Sequence, residues 1–382
     1  MRAHRALLAL VPFTLGVAAL LAQEPAGKDL AAELEGIRAK HDVPALGAAL
    51  VTIDGLQGVW TSGTRTMEGE ERVTDDDLWH LGSCTKAMTA TLIALLVARG
   101  DLAWETPLDK LLPSIATEMH ADFRALTLVE LLGHRAGLPA NPAQQIFAEV
   151  AELALVEQRA ALALEVLAAG PVHPPRGAFL YSNTGFILAG HVAEVATKKS
   201  WEELMQELLF GPLGMTSAGF GAPGSAGRCD QPRGHTGDGE PVEPGPEADN
   251  PPALGPAGTV HASLADWAKF LQLHLRGMRG DVQVGELTLT RATFTRLHTP
   301  LAGPGAKYGY GWVVDTRPWA GGDGTTWWHN GSNTMWYCVT WIGPGHGLAA
   351  LATTNMFTPE SQIAADEAVQ LMLREAEARR AR

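Results

Sequence analysis

The sequence predicts an α+β fold, with a mainly antiparallel sheet built from N- and C-terminal segments, flanked by helices, and an inserted, mostly helical region. Strand-like runs occur at 46–64 and again near the C-terminus, while helix patterns dominate between them. A composition of 46% hydrophobic and 19% charged residues is typical of a folded chain. We therefore expect one domain over 23–382, with the α/β region at about 28–82 and 290–382 and the helical region at about 83–289.

The N-terminal elements are a helix, a hairpin and a second helix. Apolar residues at i, i+4 and i+7 predict a helix over 30–41, and strand-like runs at 46–53 and 59–64 flank the Asp-Gly turn of a hairpin. A continuous apolar stripe predicts the next helix over 83–99, which Gly100 ends.

The middle of the chain has the pattern of helices joined by loops. In a capping box, a Ser or Thr at the helix start is followed three residues later by an acidic residue. Three such starts are Thr127 with Glu130, Ser200 with Glu203, and Ser263 with Asp266. Gly and Pro make up 17 of the 38 residues from Gly221 to Gly258, so we expect a long loop there that borders the functional site and decides the substrate.

Strand patterns return in the last quarter of the chain. They cover 308–314, 325–329, 334–342 and 348–354, and a charged amphipathic helix follows from Pro359. These strands and the N-terminal hairpin are expected to form the common sheet.

Residues 1–22 have the pattern of a secretory signal peptide. Basic residues precede an uncharged apolar run that ends at Ala22, and the polar stretch Gln-Glu-Pro follows. We expect cleavage near Ala22 and a periplasmic or secreted protein with no stable membrane span. The alternative is an uncleaved anchor, for which the run is short and interrupted by Pro and Gly.

Charge and cysteine content argue against several functional classes. The formal charge is −13 and no block of Lys or Arg occurs, so we expect no nucleic-acid partner. Three cysteines exclude a disulfide scaffold, and the usual zinc signatures are absent, so we expect no metal and no other cofactor. The sequence makes no prediction of the oligomeric state.

The first chemical motif is Ser83-Cys84-Thr85-Lys86, at the start of a predicted helix. Residues three apart on a helix lie on one face, one turn from each other. The Ser83 amide then belongs to the positive end of the helix, and a desolvated Lys86 can accept the serine proton. The alternative is a helix-capping serine beside an exposed lysine.

Two further motifs are weaker signals when taken alone. Tyr181-Ser182-Asn183 precedes an apolar helix. The phenol of Tyr181 could carry a proton, and Asn183 would point the same way in an extended segment. The alternative is that Tyr181 only packs against the start of the helix. His329-Asn330-Gly331 ends an apolar strand. Its histidine is either a proton relay or a structural group, and its glycine permits close approach of a ligand to the backbone.

The order of the three motifs resembles that of the penicillin-recognising serine hydrolases, with Ser-x-x-Lys, then Tyr-x-Asn, then a basic residue-x-Gly on a late strand. Segment 126–139 is similar to that family's LT…LLxHxSGLP block, and 211–215 and 256–259 resemble two more of its landmarks. The resemblance covers about 30–375. In pattern it is most like class C β-lactamases, D-alanyl-D-alanine carboxypeptidases, D-aminopeptidases and the esterases of this fold, and it implies a β-lactamase/transpeptidase-like architecture.

The resemblance implies three catalytic residues. Ser83 would attack an acyl carbonyl, and Lys86 and Tyr181 would share the role of base. Water would then hydrolyse the acyl-enzyme, again through Tyr181.

The resemblance also implies four substrate-binding residues. Asn183 would hydrogen-bond the lysine and the substrate amide, and the Ser332 amide would form an oxyanion hole with that of Ser83. His329 and Gly331 would line the site, with His329 in place of the family's usual lysine. Because histidine is largely neutral at pH 7, this replacement disfavours efficient β-lactamase action.

These observations predict an exported serine hydrolase that acts through an acyl-enzyme on Ser83 and cleaves a small ester, amide or short peptide. Esterase, D-amino-acid peptidase and β-lactamase-like activities all remain open. The alternative function is a non-catalytic penicillin-binding-type sensor or binding module on the same fold.

Overall fold

The computed structural model describes residues 29–303 and 306–382, so the predicted signal peptide at 1–22 lies outside the described residues. The strands there are β1 (Ala45–Thr52), β2 (Gly55–Gly63), β3 (Leu78–His80), β4 (Gly219–Phe220), β5 (Val260–Ser263), β6 (Val282–Val284), β7 (Leu287–Leu289), β8 (Val313–Thr316), β9 (Thr325–Ser332), β10 (Tyr337–Gly343) and β11 (Leu348–Thr354). The helices are α1 (Leu30–Lys40), α2 (Thr85–Arg99), α3 (Leu108–Leu111), α4 (Ala121–Arg124), α5 (Leu128–Leu132), α6 (Gln144–Glu149), α7 (Leu155–Ala169), α8 (Asn183–Thr197), α9 (Trp201–Met205), α10 (Gly211–Leu213), α11 (Gly255–Gly258), α12 (Leu264–Gly277), α13 (Arg291–His298) and α14 (Pro359–Arg380).

The main sheet of the described residues joins the two ends of the chain. Its strand order is β2-β1-β11-β10-β9-β8, and every neighbouring pair is antiparallel. The N-terminal hairpin meets the C-terminal strands where Leu46 pairs with Thr354. This arrangement confirms the predicted α+β fold and the predicted origin of its sheet.

Helices cover both faces of this sheet. The terminal helices α1 and α14 pack against each other and against one face, while α12 packs on β1 and β2 from the other side. Strand β11 is fully buried because its run Leu-Ala-Ala-Leu-Ala-Thr-Thr has helices on both sides. Small alanines therefore suit the centre of the sheet, where two layers of helix approach it.

A smaller sheet, β3-β5-β4, leads into the segment that carries the Ser-x-x-Lys motif. Strand β3 ends at His80, a 3₁₀ turn covers Gly82–Cys84, and α2 begins at Thr85. The predicted helix over 83–99 therefore starts two residues later than expected, and Ser83 lies in the turn before it. Gly100 ends α2 in the left-handed conformation, as predicted.

Several predicted boundaries in the C-terminal strands are wrong. The strand predicted over 308–314 begins only at Val313, the first residue of β8. Tyr308 forms an isolated bridge with Val313, because the chain turns between them at Gly311, where φ is +84°. Strand β9 continues through the His-Asn-Gly motif to Ser332. Strand β10 starts only at Tyr337, after a turn that holds Thr334 at a φ of +76°.

The capping signals are confirmed at Thr127 and Ser200, where both bonds of the box are present. At Ser263 the serine caps α12, but the Asp266 carboxylate instead accepts hydrogen bonds from Ser217. The segment 221–258 is mostly turns and loop, as its Gly and Pro content predicts, but it ends with two 3₁₀ helices (Pro246–Ala248 and Pro252–Leu254) and the four-residue α11.

Candidate active site

The Lys86 ammonium group lies at the centre of the candidate active site. Its Nζ is 3.0 Å from Ser83 Oγ, 2.7 Å from Asn183 Oδ1 and 2.7 Å from the carbonyl oxygen of Ala257. Lys86 is fully buried, and this desolvation lowers its pKa well below the usual 10.5. The structure therefore favours an amine that releases its proton far more readily than a surface lysine does.

Lys86 can donate to all three neighbours as an ammonium, and as a neutral amine it keeps all three contacts if Ser83 donates in return. An amide oxygen and a backbone carbonyl can only accept, so Asn183 and Ala257 take the two N–H groups of an uncharged Lys86. The nitrogen lone pair then faces the remaining neighbour, Ser83 Oγ, whose hydroxyl can donate to it. In this arrangement the lysine is oriented as an acceptor for the serine proton.

Tyr181 approaches the same serine from the segment before α8. Its phenol hydrogen-bonds Ser83, and Lys86 Nζ lies 4.9 Å from its ring centroid. Burial raises the pKa of Tyr181 well above its usual value, although the hydrogen bond with Ser83 acts in the opposite direction. The tyrosine is therefore a neutral phenol that can donate a proton, rather than a resting phenolate.

Helix α8 positions Asn183 as its first residue, and not as part of the extended segment we expected. Ser182 caps the helix by accepting from the Gly185 amide, and its hydroxyl donates to the carbonyl of Pro139. The side-chain amide of Asn183 donates to Asn141 Oδ1 over 2.7 Å. This second bond orients the Asn183 oxygen toward Lys86.

Strand β9 packs directly on the Ser83 turn. A Cβ added at Gly331 would lie 2.1 Å from the carbonyl oxygen of Leu81 and 2.8 Å from the Ser83 nitrogen, and one added at Gly82 would lie 2.3 Å from the Ser332 nitrogen. A close backbone approach at Gly331 is therefore made within the protein itself, and the predicted approach of a ligand to this glycine stays a prediction. It brings the backbone amides of Ser83 and Ser332 into one small region.

A pair of buried thiols lies beneath the same contact. Cys84, next to the serine, has its Sγ 3.5 Å from Sγ of Cys338 on β10, and Cys338 also donates to the carbonyl of Leu81. Nothing in the sequence pairs these cysteines. In the structure they fill the space between the serine turn and the sheet.

His329 lies on β9 within a closed set of hydrogen bonds. Its Nδ1 is 2.5 Å from the carbonyl oxygen of Asn330, so Nε2 accepts from the Tyr308 hydroxyl at 3.0 Å. Burial, assisted by the nearby Lys86, lowers the pKa of His329 to about 3. The histidine is therefore neutral over the physiological range and supplies no positive charge to the site.

Further rings pack around His329 and Tyr181. His134 has its ring 4.5 Å from the rings of both Tyr181 and Tyr308, and its Nδ1 accepts from the Ser182 amide. Sequence reasoning assigned no role to Tyr308 or to the Ala257 carbonyl. Ala257 lies in the segment 256–259, which we noted as a family landmark, but nothing in a sequence marks a backbone oxygen as a partner of a lysine.

A cavity of about 450 Å³ opens onto Ser83. Its lining is Ser83, Phe179, Tyr181, Tyr308, Val313, His329, Asn330, Gly331, Ser332, Tyr337, Phe357 and Gln362. No Lys, Arg, Asp or Glu of the described residues is in this set, so the walls are aromatic and uncharged. The loop 221–258, which we expected to border the site and decide the substrate, is absent from this lining.

Within 29–303 and 306–382, no group of three or more His, Cys, Asp or Glu side chains is arranged to hold a metal ion. Across those residues, no helix has the length and apolar character needed to cross a bilayer.

Ser83 contacts the buried Lys86 and the phenol of Tyr181, and Asn183 contacts Lys86 in turn, an arrangement that is typical of serine hydrolases. The chain belongs to the Beta-lactamase family, whose model matches residues 30–373. Family membership confirms the resemblance seen in the sequence motifs and establishes the chain as a serine hydrolase.

Relatives of known description span most of the chain. It is 29% identical to "Penicillin-binding protein 4" of Amycolatopsis lactamdurans, over 84% of this chain and 83% of that protein. It is also 29% identical to "D-alanyl-D-alanine-carboxypeptidase/endopeptidase AmpH" of Escherichia coli (strain K12), over 70% of this chain and 69% of that protein. The crystal structure of D-alanine carboxypeptidase AmpC from Burkholderia cenocepacia has the same fold, with a TM-score of 0.70, 22% identity, and coverage of 91% of this chain and 97% of that one.

Proposed function

We propose that this protein is an exported serine hydrolase that forms an acyl-enzyme on Ser83 and cleaves an uncharged ester or amide. The observation that carries the proposal is the contact between Ser83 Oγ and the buried Lys86 Nζ. A lysine whose pKa is strongly lowered, and whose other two neighbours are pure acceptors, is suited to remove the serine proton.

The proton path follows from the pKa directions of the two candidate bases. In acylation, Ser83 Oγ forms a bond to the acyl carbon while its proton passes to Lys86. The bond from the acyl carbon to the leaving oxygen or nitrogen then breaks, and the neutral phenol of Tyr181 donates to that atom and is reprotonated from Lys86. In deacylation, water attacks the acyl carbon, its proton follows the reverse path, and Ser83 is released.

The charge that develops on the acyl oxygen needs hydrogen-bond donors at the same place. The amides of Ser83 and Ser332 are the candidates, because Gly82 and Gly331 allow the turn and β9 to meet without an intervening side chain. Removal of one donor from an oxyanion hole costs roughly 3–4 kcal/mol of transition-state stabilisation in a well-studied hydrolase.

The cavity supports an uncharged substrate. Its aromatic walls suit an apolar acyl or alcohol group, and the neutral His329 offers no cation to a substrate carboxylate. One relative is named a D-alanyl-D-alanine carboxypeptidase, which makes D-peptides candidate substrates. Among them, a blocked peptide amide or ester fits this cavity better than a free carboxylate terminus.

The test compares turnover of a p-nitrophenyl ester, a D-alanine p-nitroanilide and nitrocefin, with mass spectrometry of the trapped adduct. Ester or anilide turnover and an acyl group on Ser83 are expected, and Ser83→Ala and Lys86→Met should each lower kcat by roughly 10³-fold or more. Lys110→Met, at a lysine whose side chain is 73% exposed, is the matched control and should retain full activity. Failure of the folded protein to turn over any substrate or to form an adduct would favour the binding-module alternative.

Export is the remaining part of the proposal, and the pattern of residues 1–22 supports it. Expression of the full chain in a Gram-negative host is expected to give a periplasmic or secreted product whose first residue lies just after Ala22. N-terminal sequencing of the fractionated protein checks this. A cytoplasmic product that retains Met1 would contradict it.

A further inference from the structure

The loop 221–258 contributes two adjacent residues, Asp249 and Asn250, that contact the framework of the active site without lining its cavity. They line a separate cavity of about 380 Å³, together with residues of β4 and the segment after it. Their side chains make three contacts, and each contact is with a residue next to a different part of the active site.

The first contact reaches the turn that carries Ser83. Asp249 Oδ1 lies 2.7 Å from Nε2 of His80, whose side chain is fully buried. His80 Nδ1 accepts a hydrogen bond from the Gly82 amide over 3.1 Å, so the ring proton of a neutral His80 is on Nε2, facing the carboxylate. Asp249 thus acts through one imidazole on the residue directly before Ser83.

The second contact reaches the end of β9. The Asn333 side-chain amide lies 3.4 Å from the same Asp249 oxygen and donates to the carbonyl of Ala248 over 3.0 Å. The side-chain oxygen of Asn333 accepts from the amides of Met335 and Trp336. Asn333 directly follows Ser332, so this contact holds the strand end that presents the Ser332 amide.

The third contact reaches the peptide next to the carbonyl that accepts from Lys86. The Asn250 side chain donates to the carbonyl oxygen of Gly258 over 2.8 Å, one residue after Ala257. A single Asp-Asn pair therefore reaches the serine turn through His80, the end of β9 through Asn333, and the residue after the Ala257 carbonyl that accepts from Lys86. The Asp249 carboxylate is 7% exposed, and its removal would leave the fully buried His80 ring without its acidic neighbour.

We propose that Asp249 and Asn250 are positioning residues that hold these three parts of the active site in register, an inference that rests on the proposed hydrolase function. Sub-ångström placement matters here because a shift of about 1 Å in reacting groups can cost roughly 100-fold in rate. The loop then serves as a brace for the catalytic residues, and the substrate-selecting role expected of it stays a prediction.

The test measures both the extent and the rate at which a fluorescent alkyl fluorophosphonate labels Ser83, together with kcat and KM for a p-nitrophenyl ester. Asp249→Ala should still label one serine per chain, but roughly 10–100-fold more slowly, with kcat reduced in proportion and KM changed less than about threefold. Asp249→Asn keeps an acceptor oxygen of the same shape and should recover to within about threefold of wild type. Asp238→Ala, at an exposed aspartate of the same loop, is the matched control and should behave as wild type.

The outcomes separate the two proposals. If wild type is not labelled at Ser83, the hydrolase function itself fails. If wild type is labelled and Asp249→Ala reacts at the same rate, or Asp249→Asn is as slow as Asp249→Ala, only the positioning role is overturned. Should Asp249→Ala not fold, Asn250→Ala removes the single bond to Gly258 and is expected to slow labelling by roughly three- to tenfold; wild-type labelling by this variant would overturn the role.

Discussion

The replacement of Gly82 by alanine tests whether close packing between the serine turn and β9 forms the active site. The new Cβ would lie 2.3 Å from the Ser332 nitrogen, whereas ordinary contact begins at 3.4 Å. The turn or the strand must therefore move by about 1 Å, a displacement that can lower the rate roughly 100-fold. The residue also has a φ of +45°, which costs an alanine about 1–2 kcal/mol, and overpacking adds about 1–3 kcal/mol.

The assay for Gly82→Ala is ester turnover, with urea unfolding of the same preparation. The matched control is Gly100→Ala at the other end of α2, where φ is +91° and nothing lies within 4 Å of the added carbon. We expect this control to lose about 1–2 kcal/mol of stability with an unchanged kcat, because it has the strained backbone without the clash. Wild-type kcat in Gly82→Ala, or an equal loss in Gly100→Ala, would refute the reasoning.

Three further changes test the buried polar groups. Tyr308→Phe removes the donor to His329 Nε2 and should lower the free energy of unfolding by about 1–2 kcal/mol in urea titrations, more than Tyr310→Phe does. Burial lowers the pKa of His274 to about 3 from the usual 6.5, so its stabilising effect is present above pH 6.5 and is lost on acidification. In His274→Gln, the decrease in the free energy of unfolding between pH 7 and pH 5 should therefore shrink by about 2 kcal/mol. An unchanged dependence of that free energy on pH would contradict this. Arg159 lies 2.7 Å from the buried carboxylate of Glu194, and Arg159→Ala leaves that carboxylate without its cation. The free energy of unfolding should fall by about 3–5 kcal/mol in chemical unfolding, and a loss below about 1 kcal/mol would be inconsistent with a buried pair.

The parts of the fold that local sequence signals govern were predictable. The capping boxes at Thr127 and Ser200 and the glycine end of α2 depend on residues within one turn, so a short window contains the information. The end of β9 was not predictable in this way, because an Asn-Gly-Ser sequence is a typical turn signal. The strand continues because residues 330–332 pair with β10 and because Gly331 packs against the Ser83 turn.

In the candidate site, too, contacts between residues close in the chain were predictable and contacts between distant segments were not. Ser83 and Lys86 share a helix start, so their proximity follows from helical spacing. Tyr308 and Asp249 meet their partners across long stretches of chain, and no local pattern reveals such contacts. The low pKa of His329 has a similar origin, because burial by distant segments lowers it and sequence alone gives only the ordinary value near 6.5.

The packing of Cys84 against Cys338 has a consequence for the order of folding. These neighbours of the serine turn and the sheet are separated by 254 residues along the chain. Closing a loop of that length costs about 5 kcal/mol of chain entropy beyond a constant, and contacts between distant segments form late in folding. A nascent chain that has made its first third already contains Ser83 and Lys86, but it lacks the strand that completes the pocket. Hydrolytic activity therefore appears only with the last strands, so the chain stays inactive throughout most of its own synthesis.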